Sequence, residues 1–143
     1  MPTGSEVSDG PKLPYLDSSV VLHVVGNTSA SAVEWFEERR LSSIPMVSSK
    51  LLALEVVRAL RRDGLDPREA DATFAAMTIL NIDTELFDEA AAIEPHIKSL
   101  DALHLATCRR IGADYAMVAT HDATMARVAT ELGFEVVDPV ATP

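Results

Sequence analysis

A chain of 143 residues, 48% apolar and only 5% aromatic, is long enough for one domain whose core is built mainly from alanine, valine, leucine and isoleucine. Its 12 basic and 22 acidic side chains leave a net charge of −10, which argues against nonspecific nucleic-acid binding through a basic surface. No stretch approaches the ~20 apolar residues of a membrane span, and a single cysteine, Cys108, fits a reducing, cytoplasmic setting.

Residues 1–14, MPTGSEVSDGPKLP, have neither a basic start nor an apolar segment, so they read as a disordered tail rather than a secretory signal. A single domain is expected over residues 15–143. Its first strand is the short apolar run that ends at Asp17, and further runs follow: SIPMV at 43–47, TILNI at 78–82, YAMVAT at 115–120 and FEVV at 134–137. Helical signals alternate with them. Asp66 precedes Pro67 with Glu69 in capping-box position, and Thr84, Ser99 and Asp122 each open an alanine-rich segment. RRDG, RRIG and TELG end three helices at Gly64, Gly112 and Gly133, where a left-handed cap is wanted. Short apolar strands alternating with helices predict an α/β fold: a three-layer α/β/α sandwich around a mostly parallel sheet of about five strands.

In such sheets ligands bind where strands end and helices begin. Asp17 ends the first strand, Asp122 follows the fourth, and Asp101 lies at the second position of the helix opened by Ser99. All three therefore belong on one edge. Glu55 lies inside SKLLALEVVRALRRDG, at the boundary between the apolar arc of Leu52, Val56, Ala59 and Leu60 and the basic arc of Arg58, Arg61 and Arg62. Each acid also has a plain structural explanation: Asp17 and Asp122 as N-caps, Asp101 as compensation of the helix dipole, Glu55 as a partner of Arg58 three residues on. Their coincidence on one edge is what points to chemistry. Carboxylates brought within ~6 Å repel by about 3 kcal/mol per pair at an effective dielectric near 20. Such a cluster needs protons or a cation, and a hard divalent ion such as Mg²⁺ or Mn²⁺ suits oxygen ligands. An ion held there would activate water and stabilise charge on a phosphodiester, making phosphate-ester hydrolysis the leading chemistry. Arg58 and Arg62 are then candidates for phosphate contacts, against the alternative that they form a solvated face.

YLDSS at 15–19, SKLLALEVVRALRR with Glu55, SLDALHLAT with Asp101 and VATHD ending in Asp122 together resemble a PIN-domain protein, specifically the VapC-type toxins of bacterial toxin–antitoxin pairs. The resemblance spans roughly residues 14–138. It implies a Mg²⁺- or Mn²⁺-dependent endoribonuclease that cuts structured RNA such as tRNA, is neutralised by a small cognate VapB-type antitoxin, and often forms a homodimer. On that pattern Asp17, Glu55, Asp101 and Asp122 are the catalytic, metal-binding acids, one of them orienting the attacking water. Ser18 and Thr120 match the hydroxyl positions that support the acids. The pattern does not use the histidines as ligands: His104 is expected to be structural, and the role of His121 is open.

Two other readings fit less well. A haloacid-dehalogenase-like phosphatase wants a second aspartate two residues after Asp17, where Ser19 stands. A receiver domain wants a lysine at the end of a late strand, and the only lysines are Lys12, Lys50 and Lys98. A PIN-like module that mainly binds an antitoxin, with little catalysis, stays open, because an acidic cleft attracts a basic segment.

Overall fold

The computed structural model describes residues 10–141. Residues 1–9 of the expected tail lie outside them, whereas Leu13 and Pro14 are already strand, so ordered structure begins before the expected boundary at residue 15. Five strands, β1 (Leu13–Leu16), β2 (Val47–Ser49), β3 (Thr78–Leu80), β4 (Ala116–Ala119) and β5 (Glu135–Val137), form one sheet in the order β3-β2-β1-β4-β5. Every neighbouring pair is parallel. The helices are α1 (Ser18–Val25), α2 (Ala30–Arg40), α3 (Lys50–Arg62), α4 (Asp71–Ala75), α5 (Glu85–Ala91), α6 (Ser99–Ile111) and α7 (Ala123–Glu131).

Strand alternation divides the apolar residues between two faces. Tyr15 and Val118 face a core shared with Leu86 of α5, Leu105 of α6 and Met125 of α7. Leu16 and Ala119 face the other core, with Val21 of α1, Phe36 of α2 and Val56 of α3. The expected three-layer α/β/α sandwich is therefore present.

Several boundaries differ from expectation. β2 lies at 47–49 rather than 43–47, because Pro45 cannot donate to a ladder and pairing starts around Val47. Its two serines are fully buried, and Ser48 is satisfied by donating to the Leu16 carbonyl at 2.8 Å. The capping box at Asp66 is present, but it opens a 3-10 turn, Pro67–Ala70, ahead of α4. At α5 Thr84 makes no capping bond, and Asp83 Oδ1 accepts from Leu86 N–H instead. Ser99 is the first residue of α6, with Lys98 at the cap, so Asp101 stands third in the helix rather than second. Gly64, Gly112 and Gly133 all have the positive φ expected of them.

The chain moves outward from β1 through β2 to β3, then returns to β4 and β5 on the other side of β1. The order of strands thus reverses between β1 and β4, and in an open parallel sheet a crevice forms outside the carboxyl ends at that point.

Candidate active site at the sheet switch point

Asp17 leaves β1 at this crevice and its carboxylate is almost wholly buried, at 3% exposure. A buried carboxylate needs donors on both oxygens, and the chain supplies three. Oδ1 accepts from Ser18 N–H at 2.8 Å, as the cap of α1, while Oδ2 accepts from the Ser19 and Thr120 hydroxyls, each at 2.8 Å. The hydroxyl beside Asp17 is therefore that of Ser19, not of Ser18, whose contribution is its backbone N–H. Sequence reasoning missed Ser19 because two adjacent serines follow the aspartate, and α1 decides which of them turns back.

Thr120 and Ser19 also tie the end of β4 to the start of α1. Thr120 Oγ1 accepts from Asp122 N–H at 3.0 Å, and Ser19 Oγ accepts from His121 N–H at 2.8 Å. Asp122 caps α7 through Met125 N–H at 2.9 Å, so its structural and its functional readings hold side by side.

Glu55 does not pair with Arg58. Its Oε1 lies 2.7 Å from His104 Nε2, and His104 Nδ1 lies 2.8 Å from the Tyr15 hydroxyl. The Tyr15 hydroxyl in turn donates to Ser49 Oγ at 3.1 Å. Asp17, Glu55 and His104 offer ligand-type atoms within 4.8 Å of one another. Asp101, half-buried at the start of α6, completes the group: its carboxyl is pushed up to about 6, first by desolvation, then by repulsion from Asp17 and Asp122 and, more weakly, from Glu55, while His104 opposes the rise. Asp101 thus feels the charge of the other three acids expected from the sequence.

The arginines are not part of it. Arg58 is exposed and makes no ion pair among the described residues, and Arg62 lies two turns beyond Glu55, paired with Asp63 at 3.1 Å. His121 is exposed at the rim, where Asp138 holds its Nδ1 at 2.9 Å and His23 packs edge-on at 5.7 Å.

Asp17 and Glu55 offer carboxylate oxygens within 4.8 Å of each other and of a His104 ring nitrogen, Asp101 and Asp122 add carboxylate charge beside them, and no arginine or lysine pairs with these acids among the described residues. Such a set fits a hard divalent cation, which takes oxygen ligands and relieves the repulsion felt at Asp101.

Residues 15–131 match the PIN domain family. The chain is 35% identical over 128 residues to Ribonuclease VapC46 of Mycobacterium tuberculosis, an alignment covering 87% of this chain and 96% of that protein. The fold is shared with the DNA-bound VapBC structure from Salmonella typhimurium, with a TM-score of 0.70 and 14% identity over 90% of this chain and 99% of that one. It is shared also with Mycobacterium tuberculosis VapC20, described as a sarcin-ricin loop cleaving toxin, with a TM-score of 0.67 and 18% identity over 88% and 99% of the two chains. Together with the acids at the sheet switch point, these likenesses make the chain a member of the PIN-domain family, of the VapC type.

Proposed function

We propose that the chain is a metal-dependent endoribonuclease of a toxin–antitoxin pair, hydrolysing phosphodiester bonds in structured RNA such as tRNA. The observation that carries this reading is the convergence of Asp17, Glu55, Asp101 and Asp122 on one crevice of a PIN-domain fold, together with the repulsion that holds the Asp101 carboxyl up. The names of the VapC relatives support RNA as the substrate class.

Within this proposal Asp17, Glu55, Asp101 and Asp122 hold Mg²⁺ or Mn²⁺, which when bound lowers the pKa of water and stabilises negative charge on the phosphate. The chain's own residues do the positioning. Three donors fix Asp17 from α1 and β4, so that its carboxylate keeps one orientation without a bound ligand. Thr120 serves two acids at once, donating to Asp17 and accepting from the backbone of Asp122. Asp101 makes no hydrogen bond to protein among the described residues, and is the acid best placed to accept a proton from an attacking water.

Arg58, exposed and without an ion pair among the described residues, is the candidate for an RNA phosphate contact near Glu55, and Arg62, paired with Asp63, is a more distant one. The partner is a cognate VapB-type antitoxin, in keeping with the toxin–antitoxin complexes among the structural neighbours, and the expected assembly is a homodimer. Among the described residues no helix is long and apolar enough to cross a membrane.

The test is incubation of the antitoxin-free protein with total bacterial RNA in Mn²⁺, in Mg²⁺ and in chelator, beside Asp17→Asn and Asp101→Asn. Discrete fragments that need the metal and vanish in both variants are expected. Fragments that persist in both variants would overturn the site. RNA left intact in every lane by a folded, metal-binding protein would favour the binding-module reading.

A further inference from the structure

His104 is fully buried, at 0% exposure, in a stretch of α6 whose neighbours Leu103, Leu105 and Ala106 are buried as well. Both of its ring nitrogens are engaged, Nδ1 with Tyr15 and Nε2 with Glu55. It is therefore not available as a metal ligand, although its nitrogen falls within 4.8 Å of carboxylate oxygens of Asp17 and Glu55.

The Tyr15 hydroxyl donates to Ser49 Oγ at 3.1 Å and lies 2.8 Å from His104 Nδ1, while His104 Nε2 lies 2.7 Å from Glu55 Oε1, so the ring is held at both nitrogens. Burial pushes the Tyr15 phenol well above its ordinary range, which keeps that proton in place. Ser49 Oγ also caps α3, the helix that carries Glu55, by accepting from Leu51 N–H at 3.3 Å. Every buried side-chain nitrogen and oxygen among the described residues has a partner, so the relay is complete.

The relay joins three of the four acid-bearing elements. Tyr15 stands two residues before Asp17 on β1, Ser49 is the cap of α3, and His104 lies three residues after Asp101 on α6, one turn along. A carboxylate on a half-buried helix face has two free torsions beyond Cβ, and a single donor on Oε1 removes the rotation that would exchange its oxygens.

We infer that His104 is a positioning residue for Glu55: fixed by Tyr15 and Ser49, it holds Oε1 so that Oε2 is presented to the other carboxylates. The inference rests on the nuclease reading for its catalytic consequence, but not for its effect on the carboxylate.

The experiment compares His104→Asn, whose amide nitrogen reproduces Nδ1 and keeps the Tyr15 contact, with His104→Gln, whose amide nitrogen reproduces Nε2 and keeps the Glu55 contact. Each removes one buried hydrogen bond, so both should lower the melting temperature. Mn²⁺ affinity by calorimetry and kcat on a cleaved RNA should separate them. His104→Asn is expected to lose about 10–100-fold in Mn²⁺ affinity and in kcat, with KM for RNA little changed, while His104→Gln keeps most of both. Adding His104→Asn to Glu55→Gln should bring no further loss, because the histidine acts through that carboxylate. Equal losses in the two variants that follow their melting temperatures, or a multiplicative loss in the double variant, would overturn the inference. So would wild-type affinity and kcat in His104→Asn.

Should His104→Asn fail to fold, Tyr15→Phe, which frees Nδ1 and leaves the ring packing, must lower Mn²⁺ affinity in the same direction for the inference to stand. Failure of the nuclease reading is distinguishable: RNA would then stay intact with the wild type, while Mn²⁺ affinity still reports the role of His104.

Discussion

Asp101 carries a half-buried carboxyl that accepts no hydrogen bond among the described residues and faces Asp17, Asp122 and Glu55 from the first turn of α6, with His104 as the one opposing group. Its value of about 6, against an ordinary 3.8, means that between about pH 4 and 6 the folded protein keeps a proton that the unfolded chain has lost. Stability of the metal-free protein therefore falls as pH rises through that window, and the penalty is complete above it. Asp101→Asn removes a charge that only the folded state disfavours. The variant should unfold at higher urea than wild type at pH ~8 in chelator, by about 1–2 kcal/mol after allowance for solvent screening, and the gap should close near pH ~4. A gap that is constant or widens towards acid would show that Asp101 does not feel the other carboxylates. The four acids were legible in the sequence because each lies at a strand end or on a helix read directly from apolar spacing. His104 was legible only as a core histidine: its partners, Tyr15 and Glu55, are 89 and 49 residues away, and only the packing of α6 against β1 and α3 brings them to it.

At the scale of elements, the alternation of strands and helices and the glycine stops were readable, whereas elements stabilised by buried polar contacts were not. The sequence points to SIPMV for β2 because the residues that form it, Val47, Ser48 and Ser49, look like a turn; the two serines are buried through partners in β1 that no local pattern reveals, the Leu16 carbonyl accepting from Ser48 and the Tyr15 hydroxyl donating to Ser49. α2 shows no apolar stripe, burying only Ala32 and Phe36, and so left no clear helical signal of its own. Gly112 shows the opposite case, in which one residue type fixes an element boundary. It ends α6 at φ 105° and ψ 140°, and its carbonyl receives both Tyr115 N–H and Ala116 N–H at 3.0 Å, setting the entry into β4. A Cβ there would meet only Tyr115 Cδ2 at an ordinary 3.5 Å, so the cost of a side chain is conformational rather than steric. Gly112→Ala should destabilise by about 1–3 kcal/mol, read as a lower urea midpoint with unchanged slope. A neutral result would mean that the α6–β4 turn relaxes to another conformation.

The whole molecule carries a net charge of −10 and brings acids together near the point between β1 and β4 where the order of the strands reverses. These facts act together on cation binding. The fold supplies an acidic crevice already shaped by the hydrogen bonds on Asp17 and Glu55, and the surrounding negative field raises the local concentration of cations. The same field repels RNA, so binding of the polyanion is expected to depend on the cation as well as on the arginines. Proton and cation compete for Asp101, whose carboxyl is held at about 6. Mn²⁺ should therefore raise the melting temperature strongly at pH ~7.5 and only weakly at pH ~5, where most Asp101 is protonated. At a concentration near 100 times Kd the stabilisation is about 2.7 kcal/mol, which for a domain of this size corresponds to roughly 6–12 °C. Asp101→Asn, which offers a neutral oxygen at both pH values, should lose most of the shift and most of its pH dependence. A shift equal at the two pH values in wild type, or one retained in the variant, would place the cation away from Asp101 and separate the acidic crevice from metal binding.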